Sequence, residues 1–159
     1  MKTFKELLIE LRACSEAREW AEDKTIEQVV EQCHRGDWLL WLARKVDIGL
    51  QPLKLAKGHC ANTVRHLMKD ERSIKAVDIA IAFGEGKATR EELEAAAAAY
   101  AAAADDAAAY AAADAYAEAA VYAKKENQIQ TANICRKYIG DLIIDKVNEL
   151  LNTEDDTER

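Results

Sequence analysis

The side chains best suited to metal binding or nucleophilic chemistry are Cys14, Cys33, Cys60, Cys135 and the histidines His34, His59 and His66. Two pairs are adjacent in sequence, Cys33-His34 and His59-Cys60, and His66 follows His59 on the same helical face. Zinc could take two sulfurs and two nitrogens if the pairs met. Neighbouring residues on a helix point apart, however, and no C-x2-C spacing is present. A Cys-His nucleophile needs a third group to orient it, and none is indicated. A di-iron bundle needs two Glu-x-x-His pairs; Glu31 with His34 is alone. Phosphate-binding loops, H-E-x-x-H and G-x-S-x-G are absent. Arg35-Gly36-Asp37 matches an adhesion tripeptide but reads better as a helix stop followed by a cap. The expectation is a protein without catalytic residues, metal or cofactor. Its cysteines are read as small buried apolar groups inside helices, which suits a reducing compartment.

The elements that carry these residues all read as helices. Phe4, Leu7, Leu8 and Leu11 recur at helical spacing and predict one amphipathic helix over about 3–20. Thr25 and Gln28 form a capping-box pattern opening a second helix that runs to about Cys33. Gly36 is read as the glycine that follows a helix end, and Asp37 as the N-cap of the next. That third helix, with Trp38, Leu39, Leu40, Trp41 and Leu42, is apolar nearly all round and is expected to be central. Gly49 marks a turn, and Pro52 suits the first turn of a helix. Leu53, Ala56, Cys60, Val64 and Leu67 define an inward face over about 52–69. Ile74, Val77, Ala80 and Ile81 do the same over about 73–84, with Gly84 and Gly86 as stops. The last helix is placed at about 126–151, with Ile129, Ile134, Tyr138, Leu142 and Val147 among its apolar positions. Gly140 weakens that helix unless packing requires a small residue.

Thr89 and Glu92 open the low-complexity stretch, where 20 of residues 95–123 are alanine. Alanine is the best helix former, and no glycine or proline interrupts. One straight helix from 89 to 124 would be about 54 Å long, longer than the roughly 39 Å diameter of a compact chain of this size. Glu91, Glu94 and Asp105 lie on one side of the wheel, and Asp114 and Glu118 nearly opposite. The sequence therefore predicts a bend or turn near Asp105-Asp106, giving either a long helix or a helical hairpin. The fold class expected is all-α: a compact bundle of six to seven helices, with residues 1–151 as one helical domain and 152–159 as an acidic disordered tail.

Composition narrows the function. The 159 residues carry a formal charge of −7, but it is unevenly placed. Residues 1–88 are at +1, 89–123 at −6, 124–151 at +1 and 152–159 at −3. Such a field disfavours nucleic-acid phosphate and anionic membrane and favours a basic protein partner. No run of bulky apolar residues predicts a membrane span. Glu6 and Glu10 interrupt what would be the apolar core of a secretory signal, so a cytoplasmic protein is expected. Tyrosines set among alanines offer contact area at low entropic cost. The candidate partner-binding residues are Asp105, Asp106, Tyr110, Asp114, Tyr116 and Glu118, with Glu154, Asp155 and Asp156 as weaker candidates.

Ala13-Cys14-Ser15-Glu16-Ala17-Arg18-Glu19-Trp20-Ala21 and Cys33-His34-Arg35-Gly36-Asp37-Trp38-Leu39-Leu40-Trp41-Leu42 resemble a family of bacterial immunity proteins. These belong to polymorphic toxin systems (the fifth immunity-protein family) and occur also on phage and mobile elements. The resemblance continues through Gly86-Lys87-Ala88-Thr89, the alanine- and tyrosine-rich stretch and Ile134-Cys135-Arg136-Lys137-Tyr138-Ile139, covering roughly residues 10–140. It implies an all-α fold and neutralisation of a toxin, with no catalytic residue. The motif residues Trp20, Arg35, Gly36, Asp37, Trp38 and Trp41 are read as structural, with the tryptophans as core anchors and an Arg35–Asp37 salt bridge fixing a corner. The leading expectation is a non-enzymatic inhibitor of a nuclease-like toxin with a basic surface. The alternatives are a phage-encoded inhibitor of a host defence nuclease, such as an anti-CRISPR protein, and a helical homo-oligomeric scaffold.

Overall fold

A computed structural model describes the backbone of residues 2–108 and 117–153 and the side chains of 2–101 and 124–153. The protein is all-helical over the described residues. The helices are α1 (Phe4–Glu10), α2 (Ser15–Ala21), α3 (Ile26–Gln32), α4 (Gly36–Lys45), α5 (Leu50–Asn62), α6 (Glu71–Gly84), α7 (Arg90–Ala108) and α8 (Ala117–Asn152), with a 3-10 turn at Arg65–Leu67. This is one or two more than expected. The excess comes from the first predicted helix, which is two helices broken between Leu11 and Cys14.

Local chemistry explains most helix starts. Thr3 with Glu6 and Thr25 with Gln28 form complete capping boxes, each side chain bonding the other residue's backbone amide. Thr89 and Glu92 do the same before α7. Asp70 caps α6 by accepting from the Arg72 amide, and the hydrogen-bonded Arg72 guanidinium helps hold its carboxyl down at about 2.

The core is organised around α8. Ala132, Cys135, Ile139, Ile143 and Val147 are buried along one stripe of it. Against that stripe lie α3, α4 and α5, which contribute Ile26, Val30, Leu39, Ala43 and Ala56 to one apolar cluster. On α8, Ile129 and Leu142 face outward, against expectation. Gly140 is explained: a β-carbon there would come within 3.1 Å of Val30. On the far side of α5, α6 packs on α5 and α7 packs on α6. Gly58 and Gly84 allow the α5–α6 approach, since an added β-carbon would meet Ile81 Cγ1 at 2.7 Å or Leu55 Cα at 2.7 Å. Gly84 therefore serves packing, while Gly86, with φ of 78°, ends α6.

Four further expectations need correction. The fifth helix stops at Asn62 rather than about 69. The Thr63 hydroxyl donates to the Cys60 carbonyl, the chain turns, and Leu67 is 67 % exposed. Gly36 is not a terminator: it opens α4 and lies against α8, where a β-carbon would stand 2.6 Å from the Thr131 carbonyl carbon. Asp37 is not the N-cap, which is Arg35; Asp37 sits in the first turn, where its charge still suits the helix dipole. As for the predicted bend, α7 runs on through Asp105 and Asp106 to Ala108, so neither aspartate caps a new helix. Whether the two helices form a hairpin depends on 109–116, outside the described residues.

Candidate functional site

The acidic helix α7 is held by one edge. Leu93 and Ala96 are buried, one turn apart, on the side that meets α6. Glu91, Glu92 and Glu94 are exposed, as is Tyr100 at 49 %. Glu94 makes an i,i+4 pair with Arg90 at 3.5 Å, an exposed contact of small energy. Its first turns thus carry their acids outward. Asp105 and Asp106 belong to the same helix, but their side chains lie outside the described residues, as does that of Glu118 near the start of α8. Tyr110, Asp114 and Tyr116 lie wholly outside the described residues. The tail residues Glu154, Asp155 and Asp156 do also.

The motif residues build a second feature at the corner between α2, α3 and α4. Trp20, His34 and Trp38 pack as a triangle, with ring centroids 5.9–6.0 Å apart. The Arg35 guanidinium lies over Trp38 at 4.5 Å and bonds Asp37 at 3.1 and 2.6 Å. The hydrogen-bonded Asp37 carboxylate raises the Arg35 pKa, with Glu16 at 3.7 Å adding to it. The expected Arg35–Asp37 salt bridge is therefore present. Lys24 sits over Trp20 at 4.6 Å. All three tryptophans are half-buried rather than fully enclosed. The reason is a cavity of about 350 Å3 whose lining includes Trp20, Trp38, Trp41, Phe4, Leu42 and Arg12.

Arg136 closes this corner from α8, donating to the Val30 and Cys33 carbonyls at 2.9 and 2.7 Å. Those carbonyls belong to the end of α3, whose last turn has no intrahelical donors for them. Sequence reading did not single out Arg136. The signal was available: it is a cation beside the buried stripe Ala132, Cys135, Ile139 and Ile143, where a charge requires partners.

The cysteines and histidines do not converge as two adjacent pairs. His34 stacks in the tryptophan triangle, whereas His59 stacks on Tyr138 at 4.4 Å. Cys60 faces Cys135 instead, with sulfurs 3.9 Å apart. The neighbouring Cys60 thiol and burial push Cys135 up, which keeps it a neutral thiol. Burial pushes Cys33 up as well, and its thiol donates to the Arg35 carbonyl at 3.4 Å. Cys14 departs from expectation, being exposed and outside a helix, at the N-cap of α2. Among the described residues, no group of three or more His, Cys, Asp or Glu is placed to hold a metal ion. Nor is any of their helices long and apolar enough to cross a membrane. Burial thus disfavours the thiolate at Cys33 and Cys135. No protein-family model matches the chain, and no curated protein or solved structure matches it either.

Proposed function

We propose that the protein is a non-enzymatic inhibitor that binds the basic surface of a nuclease-like protein toxin and occludes it. The observation that carries this reading is the placement of charge. Residues 89–123 hold a net −6, and α7 presents Glu91, Glu92 and Glu94 to solvent while, among its described residues, Leu93 and Ala96 are buried below. An anionic helix of this kind would compete for a cleft built to receive phosphate and would speed the encounter with it. The resemblance to immunity proteins of polymorphic toxin systems points the same way.

The test is kinetic. A toxin recovered on the immobilised full chain is titrated against the wild type and against a variant with Asp105→Asn, Asp106→Asn, Asp114→Asn and Glu118→Gln. Association should slow by about tenfold or more at low salt, and its dependence on ionic strength should flatten. An unchanged rate with an unchanged salt dependence would remove Asp105, Asp106, Asp114 and Glu118 from the docking surface.

A further inference from the structure

A second cavity, of about 310 Å3, lies between α5, α6 and α7. That is at the lower end of sites that take small ligands, roughly 300–1,000 Å3. Its wall is mainly apolar, with Met68, Val77, Leu93 and Ala96 among the lining residues. Lys54 and Lys57 also line it, three residues apart and hence on one face of α5. No carboxylate is found among its described lining residues. Both lysines are half-buried. Among the described residues neither has an ion pair, whereas other cations of the chain commonly do. Burial holds Lys57 below the ordinary lysine range, and the like charges of Lys54 and Arg44 lower it further.

We propose that this cavity binds an amphipathic monocarboxylate, with Lys54 and Lys57 holding the carboxylate and Val77, Leu93 and Ala96 receiving its apolar body. A half-buried cation without a counter-ion raises the energy of the folded protein. A carboxylate converts that liability into charge-assisted hydrogen bonds. The size follows from the volume: about ten non-hydrogen atoms, taking roughly 30 Å3 for each. The chemistry also selects against polyanions. A phosphate chain would leave the apolar wall unused and would meet the repulsion of the whole acidic molecule, while a single buried charge responds mainly to the two nearby lysines.

Calorimetric titration of the full chain with decanoate, below its micelle concentration, and with decanol as the uncharged analogue tests the proposal without any toxin. Its outcome is therefore separate from that of the inhibitor reading. Decanoate should bind saturably at one site and at least tenfold more tightly than decanol. Lys57→Met should weaken decanoate tenfold or more, and Lys54→Met combined with Lys57→Met should make the two ligands equivalent. Tryptophan emission should stay unchanged during the titration, because Trp20, Trp38 and Trp41 all line the other cavity. Equal affinity for decanoate and decanol in the wild type, undiminished decanoate binding by the double variant, or an emission change that tracks binding would each overturn the assignment.

Discussion

The two sides of α5 bury their helices differently. On one side α8 is enclosed by α3, α4 and α5, and Ala132, Cys135, Ile143 and Val147 have no exposed surface. On the other side α6 buries Val77, and the described part of α7 buries Leu93 and Ala96. The first side has shape-matched contacts, including two glycines, Gly36 and Gly140, that permit close approach to or from α8. The second is also closely approached, at Gly58 and Gly84, but it encloses fewer large side chains, and among the described residues its Lys54 and Lys57 have no ion pair. Local stability is therefore expected to be highest around α8, where large side chains are fully enclosed.

Matched truncations measure that contrast. Ile143→Ala removes a side chain with no exposed surface and should cost about 2–5 kcal/mol, as for buried Ile→Ala changes generally. Val77→Ala on α6 removes two carbons from a thinner layer and should cost about 1–2 kcal/mol. Urea unfolding with an unchanged slope reports both. If Val77→Ala proved as costly as Ile143→Ala, the α6–α7 layer would be as integral to the fold as α8.

Glycine sharpens the same comparison. At Gly36 a new β-carbon would strike the Thr131 side chain and backbone on α8. Gly36→Ala should therefore destabilise by about 1–3 kcal/mol, as overpacking does. Gly86 is needed for its φ of 78°, and a β-carbon there meets only the Gln51 amide at 3.6 Å. Gly86→Ala should cost about 1 kcal/mol, the left-handed penalty less the stabilisation from the lower entropy of the unfolded chain. Equal costs in urea unfolding would mean that the α4–α8 contact yields to accommodate the methyl group.

Gly36 also shows what the sequence could and could not tell. The capping boxes at Thr25 and Thr89 were legible because both partners lie within one helical turn. The α8 stripe was only partly legible: of the apolar positions read there, Val147 is buried, but Ile129 and Leu142 face solvent. What Gly36 touches is Thr131, far along the chain, and no local pattern encodes that. A glycine reserved for contact and one reserved for a turn look alike in sequence. The same holds for Arg136, whose carbonyl partners are on α3, and for the tryptophans, which read as core yet line a cavity. Of the candidate partner-binding residues, the structure places Asp105 and Asp106 on α7 and Glu118 on α8, while Tyr110, Asp114 and Tyr116 rest on charge and aromatic contact area argued from sequence alone.

The smallest expected effect concerns the break between α1 and α2. The Arg12 amide donates to the Ile9 carbonyl and the Ala13 amide to the Leu8 carbonyl, both at 3.0 Å. Asp47 and Ile48 repeat that arrangement after α4, and Gly86 and Lys87 repeat it after α6. All three ends are Schellman motifs with a left-handed residue, but only one is spelled with glycine: Arg12 has φ of 63° and Asp47 of 57°. The helix reading over 3–20 failed because arginine gives no stop signal. Burial of Leu8 and Ala13 in one cluster holds the turn instead. Arg12→Gly should relieve about 1–2 kcal/mol of β-carbon strain against about 0.4–1 kcal/mol of added unfolded-state entropy. The net expectation is a gain of up to about 1 kcal/mol in urea unfolding. Asp47→Gly should change less, since aspartate visits this conformation more readily. If Arg12→Gly instead destabilised the protein, the arginine side chain at the edge of the tryptophan cavity would have to contribute more through its contacts than its backbone loses by strain.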